Sequence, residues 1–322
     1  MSSFFFTSRC FIISLFALMA TTSGQARDLP EILDSGQLVI GIRERPSLYS
    51  PTTPELPGFA YEIVNAFAKN LGVSLRIVTI SKFKDYWMHG DTFLLREKNI
   101  TRTPDIYQSI DLAAEIFTVT DRRRKLIHMV PYIDNVEIFY GHEEINSNSY
   151  ETLRGKSIFL FESMSFYTIV SKRLKGLAIP FSISKIHIQA GEVITDSTDG
   201  ASEAQDVHLM VLPKDQELFG LGSYMLVVGK ELDVGITDSM LLLRTLHQET
   251  MLRNKLKPLF PARDTASQLA FGCAHGTPLL NTRLDTFMKD FTTSTEFSQL
   301  LMKYTGYTTV EYKALIVSGT VR

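Results

Sequence analysis

The sequence predicts an α/β protein with two domains, and three observations lead to this fold class. The chain has 322 residues, more than one hydrophobic core usually organises, so two domains are expected. A strand, a helix and a second strand follow one another between residues 38 and 78, which indicates a parallel sheet. A second alternation of strands and helices begins near residue 153 and indicates that a new sheet starts there.

Apolar patterns define the first strand–helix–strand unit. Residues 38–42 are apolar and rich in branched side chains, which predicts a buried strand. Five apolar residues then recur at helical spacing: Phe59, Ile63, Val64, Phe67 and Leu71. Gly72 predicts the end of this helix, and residues 73–78 predict the next strand.

The rest of the chain alternates in a similar way, except that residues 81–110 show no clean period. Further strands are predicted for residues 111–114, 136–140, 157–161, 207–212, 226–229, 232–236 and 269–274. Helices are predicted through Tyr167, Val170 and Leu174, from Asp238 to about Met251, and through Phe287, Phe291, Phe297, Leu300, Leu301 and Tyr304 up to Gly306. Residues 195–206 are polar and predict a loop.

Composition excludes several classes of protein. A hydrophobic fraction of 44% and a charged fraction of 21% are typical of an ordinary folded chain. The net charge of −2 argues against a nucleic-acid partner, which usually requires a basic face. The histidines are scattered without metal-binding spacing, and neither a nucleophile elbow nor a phosphate-binding loop occurs. We therefore expect a protein without metal or cofactor that is not an enzyme.

The N-terminus has the pattern of a secretory signal peptide. Arg9 is followed by an apolar run at residues 10–20, and small residues lead to Ala26. A membrane anchor is the alternative, but the run is shorter than the ~20 residues that span a bilayer. We expect cleavage after about Ala26 and a periplasmic protein that acts as a monomer.

The two cysteines are not expected to form a disulfide bond with each other. Cys10 lies inside the predicted signal peptide, which leaves Cys273 as the single cysteine of the mature chain. One cysteine cannot form an internal disulfide. Because Cys273 stands in a predicted strand, a buried core position is expected, with a reactive thiol as the alternative.

Four stretches together resemble the family 3 extracellular solute-binding proteins, which bind polar amino acids. Residues 36–41, GQLVIG, resemble that family's opening strand, and GFAYEIV at residues 58–64 resembles its GFDxDL helix. TVTDRRRK at residues 118–125 resembles its TxTxxR segment, and LDVGITD at residues 232–238 resembles its xDaxxxD segment. The resemblance covers nearly all of residues 30–306, but it is patchy at 80–110 and 185–230.

The resemblance implies two α/β lobes joined by two crossing strands, the periplasmic-binding-protein type II or Venus-flytrap fold, with the ligand in the cleft. Residues 27–140 would form the first part of lobe 1 and residues 141–271 would form lobe 2. Residues 272–322 would complete lobe 1. Tyr140 and Cys273 would then lie near the two hinge crossings.

The same resemblance implies five ligand-binding residues. Arg123 matches the arginine that binds the ligand carboxylate, a task for which a guanidinium fork is suited. Asp238 matches the aspartate that binds the ammonium group, and Thr118 matches a hydroxyl donor beside the arginine. Ser165 stands where lobe 2 contributes a hydroxyl and a helix N-terminus. Tyr49 is the ring nearest to the family's aromatic position.

Three of these residues, Arg123, Asp238 and Ser165, also have a plainer interpretation. The run at residues 122–125 is strongly basic and would suit a solvated helix face. Asp238 would suit a simple helix N-cap, and Ser165 a helix start. Where the family carries QGT, the present chain has ESM at residues 162–164, and Glu162 would either select a basic ligand or point away.

The expected function is capture of an amino-acid-like molecule by hinge closure, for the membrane permease of an ABC importer. Residues 50–53 and 162–167 also resemble the binding half of membrane-bound lytic murein transglycosylase F. The chain is expected to end with the binding fold, which leaves no room for a lysozyme-like domain. A free-standing sensor or degenerate binding module for cell-wall fragments is therefore the alternative. A cyclohexadienyl dehydratase-like enzyme is a third interpretation.

Overall fold

The computed structural model describes most of the chain. The described residues are 26–99, 102–162, 164–189, 192–199, 205–213, 218 and 221–318. The predicted signal peptide, apart from Ala26, lies outside them. Among the described residues, no helix is long and apolar enough to cross a lipid bilayer.

Twelve strands are described, and ten of them form one sheet. Their bounds are β1 Gln37–Ile42, β2 Ser74–Thr79, β3 Met88–His89, β4 Thr92–Phe93, β5 Leu112–Thr118, β6 His128–His142, β7 Ser157–Phe161, β8 Phe181–Gln189, β9 Glu192–Asp199, β10 Val207–Leu212, β11 Val234–Asp238 and β12 Leu256–Cys273. The order across the sheet is β2-β1-β5-β12-β6-β11-β7-β10-β8-β9, and β3 pairs only with β4.

The helices are spread along the whole described chain. Their bounds are α1 Leu29–Ser35, α2 Phe59–Leu71, α3 Asp121–Arg124, α4 Ser165–Gly176, α5 Gly222–Val228, α6 Ser239–Gln248, α7 Thr250–Arg253, α8 Pro278–Phe291, α9 Thr295–Thr305 and α10 Thr309–Ser318. Short 3-10 helices cover Phe83–Trp87, Leu94–Arg96, Asp105–Gln108 and Glu151–Leu153. The alternation of strands and helices confirms the predicted α/β class.

Two long strands join the two halves of the sheet. Strands β2, β1 and β5 are parallel on one side, and β11, β7, β10 and β8 are parallel on the other. Strands β6 and β12 run antiparallel between them, and their register shifts between Ala262 and Ser267. This shift faces Asn135 and Glu137 of β6, so the ladder is interrupted near the middle of both strands. The predicted lobe boundaries, after residues 140 and 271, fall within these strands and remain a prediction.

Several predicted elements are confirmed by the structure. Strands β1, β7 and β10 lie where the apolar runs predicted them, and α2 ends at Gly72. Gly72 has φ 73°, the left-handed conformation that glycine adopts without steric strain. Cys273 is fully buried at the end of β12, as expected for a core residue.

Two predicted elements are wrong. Residues 226–228 belong to helix α5 rather than to a strand, because a short apolar run does not distinguish a buried helix turn from a strand. Residues 195–199 belong to β9 rather than to a polar loop. Strand β9 is the last strand of the sheet, and its described side chains are largely exposed, so it needs no apolar pattern.

Candidate functional site

Arg123 is held beside the end of β5 by backbone contacts. It is the third residue of α3, whose N-cap Thr120 accepts a hydrogen bond from the backbone N–H of Arg123 at 3.2 Å. Nη1 of Arg123 donates to the backbone oxygen of Thr118 at 2.8 Å. The short helix and the strand end therefore fix both the backbone and the guanidinium of this residue.

Arg123 is the residue of the basic run that turns inward. Its side chain is half-buried, whereas Arg122, Arg124 and Lys125 are exposed. Arg122 donates from Nη2 to the backbone oxygen of Glu97 on the outside. The solvated interpretation of the run thus holds for its other members and not for Arg123.

Two aromatic rings form a wall against the Arg123 guanidinium. Its central carbon lies 5.4 Å from the ring centroid of Phe83 and 5.2 Å from that of Trp87. Both rings belong to one 3-10 helix, and Trp87 is fully buried. Contacts of this kind between a cation and a ring face attract electrostatically, and more strongly where water is excluded.

A second guanidinium lies against the same wall. The central carbon of Arg43 is 5.2 Å from the centroid of Phe83, and its Nε donates to Oε2 of Glu115 at 2.5 Å. Glu115 has an exposed fraction of 0% and its other oxygen accepts from the backbone N–H of Ile116 at 2.9 Å. The β1 and β5 side of the sheet therefore presents two guanidinium groups at Phe83, and one of them, Arg43, is paired with the buried carboxylate of Glu115.

Asp238 comes from the other half of the sheet. It is the last residue of β11 and the N-cap residue of α6, but its side chain makes no capping hydrogen bond to that helix. Instead, Oδ1 accepts from Nδ2 of Asn135, in the middle of β6, at 2.6 Å. The carboxylate is thus oriented by a crossing strand rather than by its own helix.

Arg123 and Asp238 affect each other electrostatically. Burial lowers the pKa of Arg123 to about 10, while Asp238 and Glu115 oppose that change. Burial raises the pKa of Asp238 above its ordinary value, while the Asn135 hydrogen bond and Arg123 lower it. Among the described residues, no ion pair joins the two groups directly, so each is a partly buried charge that acts on the other without a closed salt bridge.

The other predicted ligand contacts lie in different settings. Thr118 meets Arg123 through its backbone oxygen. Tyr49 packs against Tyr61 with ring centroids 5.2 Å apart, whereas the rings that contact Arg123 are Phe83 and Trp87. Ser165 is the first residue of α4, and its side chain lies outside the described part of the structure. The structure therefore places the Thr118 backbone against Arg123, and Arg123 and Asp238 influence each other electrostatically.

Five residues of the site were not predicted from the sequence: Arg43, Phe83, Trp87, Glu115 and Asn135. Phe83 lies in the stretch without a clean period, and Arg43 comes directly after β1. Glu115 was a usable signal, because it is a charged residue inside an otherwise apolar strand. Within the described ranges, no three histidine, cysteine, aspartate or glutamate side chains gather as a metal site would require.

Comparison with known proteins finds no matching family model. Two sequence relatives are both membrane-bound lytic murein transglycosylase F. The protein from Saccharophagus degradans is 30% identical over 168 residues, which is 51% of this chain and 30% of the relative. The protein from Stutzerimonas stutzeri is 26% identical over 212 residues, 64% of this chain and 38% of the relative. The matches thus span about a third of the relatives' length.

Solved structures of amino-acid-binding proteins match most of the chain. A mutant of ArgBP from T. maritima has a TM-score of 0.56 at 16% identity, covering 86% of this chain and 98% of that one. The chain has the periplasmic-binding-protein type II fold. An ancestral cationic amino acid solute-binding protein gives the same TM-score and identity, with 86% and 99% covered. An ancestral arginine-binding protein bound to glutamine gives a TM-score of 0.53 at 16% identity, with 84% and 98% covered.

The type II fold gives the site its setting. Arg123 follows β5, in the first group of strands, and Asp238 ends β11, in the second group. Asn135 lies on β6, one of the two strands that cross between the groups. The two predicted charged residues therefore come from opposite sides of the crossing strands.

Proposed function

We propose that the protein binds a small amino-acid-like molecule between its lobes and closes around it. The observation that carries the proposal is the pair of partly buried, oppositely charged groups of Arg123 and Asp238, which come from opposite sides of the crossing strands. An amino acid carries a carboxylate and an ammonium group, so one molecule can satisfy both charges. Because each lobe supplies one group, a bound molecule stabilises the closed arrangement.

The surroundings of Arg123 favour a planar anion such as a carboxylate. One guanidinium edge is fixed by the Thr118 backbone oxygen, and the face is covered by Phe83 and Trp87. A guanidinium that is already oriented loses little conformational entropy when it binds a carboxylate with two parallel hydrogen bonds. The ligand carboxylate is expected to meet the remaining N–H groups of Arg123.

Isothermal titration calorimetry with each of the twenty L-amino acids tests the proposal. The protein lacking residues 1–26 should bind at least one of them, and the Asp238→Asn variant should bind it far more weakly. Structural relatives are named as arginine-bound and glutamine-bound proteins, so these two amino acids are the first to titrate. A folded protein that binds none of the twenty would overturn the proposal.

Transport is the proposed biological role of this binding. We propose a periplasmic protein that delivers its amino acid to the permease of an ABC importer and has no enzymatic activity. Deleting the gene should lower uptake of the amino acid identified by calorimetry, and restoring the gene should recover it. Unchanged uptake would instead indicate a sensor. Turnover of prephenate or arogenate by the purified protein would indicate a dehydratase.

A second candidate function rests on the sequence relatives. The match to two lytic murein transglycosylases supports a module that binds soluble murein fragments rather than free amino acids. Such fragments carry peptides with free carboxylate and ammonium groups, so the same pair of charges would bind them. Titration with murein peptides and with free amino acids separates the two functions. Tighter binding of a murein peptide would support the second function, and tighter binding of a free amino acid would support the first.

A further inference from the structure

A buried chain of hydrogen bonds connects Asp238 to the C-terminal helix α10. Nδ2 of Asn135 donates to Oδ1 of Asp238 at 2.6 Å, and Oγ of Ser239 donates to Oδ1 of Asn135 at 3.0 Å. The hydroxyl of Tyr312, on α10, lies 2.7 Å from Oγ of Ser239. Asn135 and Ser239 have an exposed fraction of 0% and Tyr312 of 1%, so solvent does not replace these bonds.

The chemistry of the groups fixes the direction of this chain. An ionised Asp238 only accepts hydrogen bonds, so Asn135 must turn its NH2 group towards Asp238 and its oxygen towards Ser239. That oxygen then accepts from both the backbone N–H and the hydroxyl of Ser239. Since the Ser239 hydroxyl has already donated its single hydrogen, it accepts from the hydroxyl of Tyr312. Every bond in the series therefore favours a negative charge on Asp238.

We propose that α10 is part of the ligand-binding apparatus, with Tyr312 as a positioning residue that orients the Asp238 carboxylate through Ser239 and Asn135. The inference rests on the proposed function, because it gives Asp238 its role toward the ligand ammonium group. Tyr312 does not touch the ligand in this arrangement. It holds the Ser239 hydroxyl, which holds the Asn135 amide in the one orientation that donates to Asp238.

The coupling must act in both directions. If the contact of Tyr312 improves the affinity of Asp238 for an ammonium group, a bound ammonium group strengthens the attachment of α10 by the same factor. Helix α10 lies outside the two groups of parallel strands and packs against α9 and β6. Binding of the ligand is therefore expected to strengthen the packing of this helix.

The Tyr312→Phe variant removes the hydroxyl at the start of this series of hydrogen bonds and keeps the aromatic ring. Its affinity for the amino acid identified in the calorimetric panel should fall roughly three- to ten-fold, the range that one buried hydrogen bond provides. Tyr304→Phe is the matched control. The Tyr304 hydroxyl is also buried. It donates to Oε1 of Glu62 at 2.6 Å and accepts from the N–H of Gly58 at 2.9 Å, but it does not belong to the series of hydrogen bonds that leads to Asp238. Tyr304→Phe should lower stability and leave affinity unchanged.

A double-mutant cycle separates positioning from general stability. In the Ser239→Ala background the link is already broken, so adding Tyr312→Phe should change affinity less than two-fold. A purely structural role would lower the melting temperature of Tyr312→Phe without changing the dissociation constant. Equal affinities of the wild type and Tyr312→Phe would overturn the inference while leaving the proposed function intact.

A measurement without any ligand keeps the two proposals distinguishable. The ¹³C carboxyl signal of Asp238 can be titrated by NMR in the free protein. Because Tyr312→Phe interrupts the series of hydrogen bonds, it should raise the pKa of Asp238, whereas Tyr304→Phe should not. The other groups that act on this carboxyl are Arg123, Tyr132 and Tyr224, and all three stay in place in both variants. An unchanged Asp238 titration in Tyr312→Phe would contradict the inference whether or not any amino acid binds.

Discussion

The guanidinium groups of Arg43 and Arg123 lie against the same aromatic ring, 5.2 and 5.4 Å from the centroid of Phe83. The two cations are drawn from distant parts of the chain, the end of β1 and the start of α3. Their mutual repulsion is offset by Glu115, which is ion-paired to Arg43 and acts on Arg123. The ring therefore keeps Arg123 in place before any ligand arrives.

The Phe83→Leu variant tests this role of the ring. Loss of the aromatic face should weaken amino-acid binding about five-fold, since a cation–ring contact of this kind provides roughly 1 kcal/mol. Calorimetry with the amino acid from the binding panel measures the change. Phe93→Leu is the matched control, because Arg96 lies 5.5 Å from the Phe93 centroid in a pair that makes no contact with Arg123. An equal loss in both variants would point to a general effect on the packing of this part of the protein.

The Arg123→Lys variant tests the need for a planar fork of donors. A lysine keeps the charge but cannot make two parallel hydrogen bonds to a carboxylate, so affinity should fall about ten- to a hundred-fold. The fold should be retained, as measured by circular dichroism and thermal unfolding. Arg124→Lys changes the exposed neighbour in the same way and should bind like the wild type. Binding by Arg123→Lys at full affinity would remove this residue from the site.

Asp238→Asn should stabilise the folded protein while it abolishes amino-acid binding. Burial raises the pKa of Asp238 above its ordinary value of 3.8, so the folded state holds this proton more tightly than the unfolded chain. The contribution of this group to stability is therefore complete below pH 3.8 and is lost as the pH rises through the folded-state pKa. At pH 7 the variant should therefore be more stable than the wild type.

Urea unfolding of the wild type and of Asp238→Asn across pH 4–7 measures this difference. The two unfolding free energies should separate as the pH increases. Asp233→Asn is the contrasting control, because Asp233 accepts from the N–H and hydroxyl of Ser157 at 2.8 and 2.9 Å. That variant should lose stability and keep its affinity. If the unfolding free energy of the wild type increased relative to that of Asp238→Asn as the pH rises, the predicted direction of the pH dependence would be wrong.

Cys273 should be unreactive in the folded protein. Burial raises the pKa of its thiol, so almost no thiolate exists at neutral pH, and the side chain packs in the apolar core. In the chain lacking residues 1–26, Ellman's reagent should label this thiol only after unfolding by urea. Cys273→Ser should cost about 1–3 kcal/mol, because it buries a hydroxyl in an apolar setting, and Cys273→Ala should cost less. Rapid labelling without denaturant would contradict the buried position.

The fold was predictable where apolar and polar residues follow a clear period. Strand β8 and helix α10 show why some elements were not predicted. In β8, Ser182 and Ser184 are buried while Ile183 between them is partly exposed, which reverses the usual alternation. In α10, Val310 and Val317 are exposed on one side and Tyr312 is buried on the other. Apolar residues all round such a helix leave no stripe that a periodicity can detect.

The site was predictable only in part, for a different physical reason. Arg123 and Asp238 stand in short segments that resemble known ligand-binding segments, so each could be identified by itself. Phe83, Arg43 and Asn135 reach the site through the topology of the sheet, which no local pattern encodes. Asn135 shows this most clearly, since its role depends on where the middle of a long strand meets β11.

The position of β12 in the sheet has a consequence for how the protein forms during synthesis. Strand β12 lies between β5 and β6, although both precede it in the chain by more than a hundred residues. The first sheet half therefore has a gap until the ribosome has made residues 256–273, whereas β7, β8 and β10 can already assemble. Native contacts over such separations form slowly. Nascent chains are thus expected to expose the edges of β5 and β6, where a chaperone would bind.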